Sequence, residues 1–171
     1  MPLREEMERQ GDFLFRYRSH LPWLLAPCAL YALWNANEID GSVLLGYQIV
    51  GVAVIVVGLA LRALTVGYVP KRTSGRSTKG ARAASLNTEG SYSTVRHPLY
   101  VANYICFLGL VCLIGQFWFV GLYTAIFWIY YERIMLFEEA FLRRKFGEDY
   151  ESWASRTPTF VPRVRAWRRP T

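Results

Sequence analysis

The chain has 171 residues, of which 53% are hydrophobic and 19% charged, and its formal net charge is +7 at pH 7. This length suffices for one domain and excludes two domains of ordinary size. The apolar residues come in blocks, which is typical of a small integral membrane protein and disfavours a soluble domain with a scattered core. A positive net charge can reflect nucleic acid binding, anionic lipid binding or membrane topology. The distribution of the basic residues along the chain distinguishes these three explanations.

Four apolar blocks follow a polar lead at residues 1–19, and they predict membrane-spanning helices at 20–36, 43–69, 98–114 and 117–137. The first block is short and contains two prolines. A cleaved signal peptide is the competing interpretation, although acidic residues in the lead disfavour it. In the second block, Val43 to Leu61 gives 19 residues without a charge. That is close to the ~20 residues needed to cross ~30 Å of hydrocarbon.

Two features predict where the last two spans begin and end. Pro98 suits the first turn of a helix, where its missing N–H costs nothing. The helical spacing of the fourth block continues through Glu132 and Arg133, so we predict that this helix leaves the membrane and ends at Gly147. We therefore predict a single all-α domain, residues 1–171, that forms a polytopic helical bundle in the membrane.

The basic residues sort by loop. Nearly all of the 20 Lys and Arg lie in the lead, in the loop at 70–97 or in residues 138–171, whereas the connections at 35–42 and 115–116 contain none. This is the positive-inside pattern, and it predicts that both termini and the loop at 70–97 are cytoplasmic. Topology thus explains the charge without nucleic acid. A bacterial inner membrane is the expected location.

Several classes of site are not expected. The three cysteines lie inside apolar blocks without paired spacing, and only two histidines are present, so we predict no metal site. The segment "GRSTKG" has the wrong residue order for a phosphate-binding loop and follows no predicted strand. The sequence contains no glycine-rich dinucleotide motif.

The first candidate group lies in "TEGSYSTVRHPLY", just before the third span. Arg96 can bind a carboxylate or phosphate, and His97 can donate a hydrogen bond or take a proton near neutral pH. The free N–H groups of the helix that begins at Pro98 favour an anion. Tyr92 and Tyr100 add amphipathic rings suited to an interface. The alternative is that Arg96 and His97 only anchor the helix at the lipid headgroups.

The second candidate group is the acidic pair Glu138 and Glu139, just beyond the fourth span. Adjacent residues on a helix point about 100° apart, so we expect the two carboxylates to serve different partners. The alternative is an ordinary helix-surface salt bridge to Arg133 or Arg143.

These groups, together with the tail "FGEDYESWASRTPTFVP", resemble the isoprenylcysteine carboxyl methyltransferase family and the wider group of phospholipid methyltransferases, over about residues 86–162. The resemblance rests on the Arg96–Tyr100 motif, the acidic pair that follows the next helical hairpin, and a proline-bounded tail, in the family's order and spacing. It implies a multi-span helical enzyme that binds S-adenosylmethionine at the cytoplasmic end without a Rossmann fold.

The resemblance also implies a site. It assigns catalytic roles to Arg96, His97 and Tyr100 and cofactor contacts to Tyr92, Arg96, His97, Pro98, Tyr100, Glu138, Glu139 and Tyr150. One glutamate would bind the ammonium or ribose hydroxyls of the cofactor, and Arg96 or His97 would bind its carboxylate. The tyrosines would stack on adenine or flank the sulfonium.

The expected function is S-adenosylmethionine-dependent methylation of a lipid or lipid-like acceptor in the membrane, preferably on an anionic phosphate or carboxylate oxygen. Such an acceptor needs no strong base, whereas an amine acceptor needs one, with His97 as the candidate. Bacterial members that methylate a lipid A phosphate are similar in the loop before Arg96. Phospholipid N-methylation, a non-enzymatic membrane scaffold and a sterol-reductase-like enzyme that binds a nicotinamide cofactor are the alternatives.

Overall fold

The computed structural model describes residues 3–36, 39–68 and 83–169, and these residues confirm the predicted all-α class. The longer helices are α1 (Leu3–Arg16), α3 (Ala26–Asn35), α4 (Gly41–Tyr68), α6 (Pro98–Cys112) and α7 (Phe117–Phe146). The shorter helices are α2 (Leu21–Leu24), α5 (Ser91–Thr94) and α8 (Glu148–Ala154). In the described ranges the only β-type pairing is an isolated bridge between Gly90 and Arg168.

The segment at 20–36 is not one continuous helix. A 3-10 turn at Arg18–His20 leads into α2, and α3 begins only at Ala26, with a proline in its first turn. The ten residues of α3 rise about 15 Å, half of the ~30 Å hydrocarbon thickness. The crossing at 20–36 therefore stays a prediction.

Helix α4 is the clearest candidate for a membrane span. Within the described ranges it is the only helix both long and apolar enough to cross, with 28 residues and a mean hydropathy of 2.5 in its most apolar window. Only 17% of that window is buried inside the protein, so its apolar side chains face outward, where hydrocarbon would solvate them. Helix α6 is apolar but shorter, and Glu132 and Arg133 interrupt the apolar run of α7. The first part of the predicted cytoplasmic loop, residues 70–82, lies outside the described residues. Most of the basic residues of that loop belong to this part: Lys71, Arg72, Arg76, Lys79 and Arg82.

Glycines bring α4 and α6 into close contact. A Cβ atom added to Gly109 would lie 2.6 Å from the carbonyl oxygen of Gly51, and one added to Gly58 would lie 2.7 Å from the backbone nitrogen of Cys106. Real side chains do not approach that closely, so any larger residue would force the helices apart. Small residues at such contacts are the usual way in which membrane helices pack.

Helix α7 joins the membrane part to the charged end of the molecule. It continues through Glu132 and Arg133 to Phe146, as the sequence predicted, and Gly147 ends it with a positive φ of 52°. Its inner face packs aromatic rings against α6, and α1 packs against it through Gly11. The last turns of α7 are thereby placed beside the start of α6.

Candidate active site

The junction between α5 and α6 holds Arg96 and His97 in place. Val95 is extended, His97 caps α6 and Pro98 occupies its first turn, as predicted. The backbone N–H of Arg96 donates to the carbonyl of Pro158 at 2.8 Å, which ties the junction to the C-terminal tail. The side chains of Arg96 and His97 both project toward the last turns of α7.

Four charged or titratable side chains meet there. Arg96 Nη1 lies 2.8 Å from Oε2 of Glu139, and His97 Nε2 lies 3.1 Å from its other oxygen, Oε1. Nδ1 of His97 lies 3.6 Å from Oε2 of Glu138. Both ring nitrogens of this 7% exposed histidine therefore face carboxylates. We call Arg96, His97, Glu138 and Glu139 the charged cluster.

The cluster refines the expectation for the acidic pair. Glu138 and Glu139 share His97, which lies between them and contacts both, whereas only Glu139 also pairs with Arg96. The surface salt bridges considered as the alternative are not formed. Arg143 pairs with Glu151, and Arg133 donates to Gln10 Oε1 at 2.8 Å.

The charges of the cluster support one another. Burial lowers the pKa of His97, but hydrogen bonds and charges from Glu138 and Glu139 outweigh it, so the pKa lies above its ordinary value of 6.5. Burial raises the pKa of Glu139, but hydrogen bonding by His97 and the charges of His97 and Arg96 outweigh it, so the pKa lies below its ordinary value of 4.5. The cluster therefore favours the protonated form of His97 and the ionised form of Glu139.

These shifts predict how stability depends on pH. The contribution of His97 is fully present below pH 6.5 and is lost as pH rises through its raised pKa. The contribution of Glu139 is present above pH 4.5 and is lost as pH falls through its lowered pKa. We expect the thermal midpoint of the purified protein to fall above pH 6.5, and the fall to be absent in His97→Gln. An identical profile for the variant would contradict the shift of His97.

Aromatic side chains enclose the cluster. Tyr100 stacks on His97 with ring centroids 5.6 Å apart, and Tyr131 packs against Tyr100 at 4.9 Å. Burial, followed by the charge of Glu138, raises the pKa of Tyr92, whose carbonyl accepts a hydrogen bond from Trp153 Nε1 at 3.1 Å. The structure thus brings the predicted residues Tyr92 and Tyr100 to the same end of the bundle, together with Trp153 and with Tyr131, which the prediction did not include.

Two buried polar atoms beside the cluster lack a regular hydrogen bond. Among the described residues, Nε of Arg96 and the hydroxyl of Tyr150 make no hydrogen bond of ordinary geometry, although Tyr150 is 0% exposed and its hydroxyl lies near enough to Arg96 and Glu139 to interact with both. Burial and then the charge of Glu139 raise the pKa of Tyr150 to about 12, so its hydroxyl keeps its proton and can donate. Unpaired buried polar groups are costly, and a donor pair of this kind suits a ligand carboxylate or hydroxyl.

The sequence did not identify the residues that fasten the tail over this site. Thr159 accepts a hydrogen bond from Arg96 Nη2, and the N–H of Arg163 donates to the carbonyl of Thr94 at 2.9 Å. The N–H of Gly90 donates to the carbonyl of Arg168 at 3.0 Å. Two of these three bonds join backbone groups, which carry no residue-specific signal. Thr159 lies within the tail that carried the resemblance, but nothing in the sequence indicates that it binds Arg96.

The part of the chain that the structure describes contains no cluster of three or more His, Cys, Asp or Glu residues that could hold a metal ion.

Comparison with known proteins gives matches of three kinds. The model of a family described as phospholipid methyltransferase matches residues 45–149. The nickel-cobalt-cadmium resistance protein NccN of Alcaligenes xylosoxydans xylosoxydans is 29% identical over 163 residues, which cover 92% of this chain and 70% of that protein. The protein-S-isoprenylcysteine O-methyltransferase of Schizosaccharomyces pombe is 35% identical over 79 residues, which cover 46% of this chain and 34% of that enzyme.

The fold has a solved counterpart. The eukaryotic intramembrane Ras methyltransferase ICMT superposes with a TM-score of 0.67 at 18% identity, covering 85% of this chain and 53% of the solved one. At that identity the likeness concerns the fold. The chain spans about half the length of the solved protein and 34% of the yeast enzyme, so what those whole proteins act on does not transfer directly.

Proposed function

Because the chain is a membrane methyltransferase of the phospholipid methyltransferase family, we propose that it transfers a methyl group from S-adenosylmethionine to an anionic oxygen of a lipid or lipid-like acceptor in the membrane. The observation that carries the proposal is the charged cluster, in which Arg96 and His97 at the start of α6 meet Glu138 and Glu139 of α7. The positive-inside pattern of the loop charges supports a cytoplasmic position for the cluster and for both termini, and the location that we propose is a bacterial inner membrane.

The cluster fits the amino-acid head of S-adenosylmethionine. The free Nε of Arg96 and the Tyr150 hydroxyl are donors for its carboxylate. Glu138 has one oxygen 3.6 Å from His97 and a partly exposed side chain, so it retains acceptor capacity for an ammonium group or ribose hydroxyls. Tyr92 and Tyr100, with the first turn of α6 at Pro98, would flank the rest of the cofactor. A zwitterionic head also suits a cluster that contains both signs of charge.

Positioning is what the protein contributes to the reaction. S-adenosylmethionine supplies a methyl carbon on a sulfonium, and transfer forms the acceptor oxygen–carbon bond as the carbon–sulfur bond breaks. Aligning the two reactants is worth up to about 7–11 kcal/mol of the barrier. The hydrogen bonds of Arg96 to Glu139 and Thr159 hold the guanidinium in one orientation, which fixes the donors offered to the cofactor.

The state of His97 favours an anionic acceptor over an amine. Both ring nitrogens of His97 are directed at carboxylates, which favour its protonated form, so neither nitrogen is free to act as a general base toward an amine. A phosphate or carboxylate oxygen is already ionised at neutral pH and needs none. The name of the yeast relative, an O-methyltransferase, supports the same choice.

Calorimetry of the purified protein in nanodiscs tests the cofactor. We expect saturable binding of S-adenosylmethionine and none of NADPH, whereas the reverse would indicate a reductase and no binding to folded protein would indicate a scaffold. The control is the double variant Arg96→Ala/His97→Ala, which should insert into membranes but not bind.

Incubation of native membranes with methyl-labelled S-adenosylmethionine tests the acceptor. Alkaline hydrolysis of the extracted product should release labelled methanol from a carboxyl methyl ester, and acid or phosphodiesterase treatment should release it from a methyl phosphate. Label retained on a headgroup amine would instead establish N-methylation, and label absent beyond the level of the double variant would contradict methyl transfer.

A further inference from the structure

A groove between α1 and α7 lies apart from the charged cluster. Its volume is about 620 Å³, and it is lined by Arg9, Gln10, Phe13, Leu14, Ile126, Ile129, Tyr130 and Arg133. The four residues that α7 contributes stand at positions i, i+3, i+4 and i+7 of the helix, and so form one stripe of its surface. The neighbouring Tyr131 instead packs against Tyr100 beside the cluster. The groove therefore opens on a different face of α7 from the proposed active site.

The walls of the groove are largely apolar, and the charged residues that line it, Arg9 and Arg133, are both positive. Phe13 and Ile129 are 60% and 57% exposed, so an apolar ligand would cover surface that the protein leaves open. No acidic residue lines the groove. The neighbouring carboxylates of α1 have other partners: Glu8 pairs with Arg4, Asp12 pairs with Arg16, and Glu6 accepts a hydrogen bond from Gln10.

The two arginines are placed to receive an anion. Arg133 donates through Nε to Gln10 and through Nη1 to the carbonyl of Ile129, which orients its guanidinium and leaves Nη2 for a ligand. Arg9 makes no ion pair or hydrogen bond with other residues in the described ranges. A guanidinium held in this way is suited to a phosphate, and a second one nearby reinforces it.

The position of the groove along α7 indicates which anion fits. Arg133 follows the apolar stretch of α7, so the basic end of the groove lies toward the cytoplasmic interface and Ile126 lies toward hydrocarbon. A free phosphate would leave the apolar walls uncovered, whereas a lipid satisfies both ends. We propose that this groove binds one anionic phospholipid, with its phosphate on Arg9 and Arg133 and an acyl chain along Ile126 and Ile129.

Native mass spectrometry with defined lipids tests the proposal. The protein, released from mixed vesicles of phosphatidylglycerol and phosphatidylcholine, should retain one phosphatidylglycerol in preference to phosphatidylcholine. The double variant Arg9→Gln/Arg133→Gln should lose about 30-fold in that preference, as expected for two interfacial arginines worth ~1 kcal/mol each. Ile129→Trp keeps both charges but fills the groove, and it should also reduce retention.

The matched control is Arg165→Gln/Arg169→Gln, which removes the same charge from exposed tail positions and should retain the lipid as the parent protein does. Binding of S-adenosylmethionine should be unchanged in all variants, which separates loss of the groove from misfolding and from failure of the proposed function. Equal retention of phosphatidylcholine, an undiminished preference in the groove variant, or an equal loss in the control would each overturn the proposal. Labelled methyl appearing on the retained lipid would also overturn it, because the groove would then hold the acceptor.

Discussion

Replacing Glu139 by glutamine is expected to weaken S-adenosylmethionine binding about 100-fold or more and to abolish methyl transfer. The carboxylate receives Arg96 on one oxygen and His97 on the other, and its side chain is only 14% exposed. Removing one partner of a buried charge pair leaves the other uncompensated, at a cost of about 3–5 kcal/mol. Because a glutamine amide has only one accepting oxygen and no charge, it cannot accept from both Arg96 and His97, so one of them loses its contact and both lose the ion pair.

Glu138→Gln is the matched comparison, on the next residue of the same helix. Its contact with His97 is longer, at 3.6 Å, and its side chain is more exposed, at 24%, so the structural part of its effect should be smaller. We expect about a 10-fold loss of affinity, the value of one charge-assisted hydrogen bond to a ligand ammonium or hydroxyl. Calorimetric titration of both variants, with thermal melts to show that they fold, gives the ranking. If neither variant lost affinity for S-adenosylmethionine, the proposal that the two glutamates belong to the cofactor site would be contradicted.

The sequence was sufficient for the helical class, for the family and for the ends of α7. The helical class follows from apolar blocks and loop charges, which can be recognised without knowing the tertiary structure. The family follows from the Arg96–Tyr100 motif and the acidic pair, and the matched family model confirms it. Pro98 and Gly147 marked helix ends because their backbone properties are local. The roles assigned to individual site residues remain proposals, although the structure brings most of them together.

Tertiary features account for what the sequence could not predict. The meeting of His97 with both glutamates depends on how α6 and α7 cross, and residue spacing within α7 alone suggested separate partners. The division of 20–36 into a turn and two short helices was not expected from hydropathy, which averages over such breaks. Gly51 and Gly109 gave no signal as a pair, since their contact links helices far apart in sequence.

That glycine contact leads to the largest expected effect on the fold. In Gly109→Leu, the new Cβ would lie 2.6 Å from the carbonyl oxygen of Gly51 and 2.8 Å from the backbone nitrogen of Ile55. Backbone atoms cannot rotate away as a flexible side chain can, so α4 and α6 must separate. We expect a loss of about 3 kcal/mol or more in stability, at the upper end of overpacking effects. Cofactor affinity should fall with it, because α6 begins at the charged cluster.

The control is Gly46→Leu on α4, where an added Cβ meets no atom within 4 Å. Both glycines lie in predicted spans, so the two variants add the same apolar side chain to a membrane helix and differ in whether that position packs against another helix. At Gly46 a leucine improves helix propensity by up to about 1 kcal/mol, and stability should hold or rise. Thermal unfolding in detergent, followed by size-exclusion recovery and cofactor titration, compares the two. A Gly109→Leu protein that melts and binds like the parent would show that α4 and α6 do not meet at these glycines.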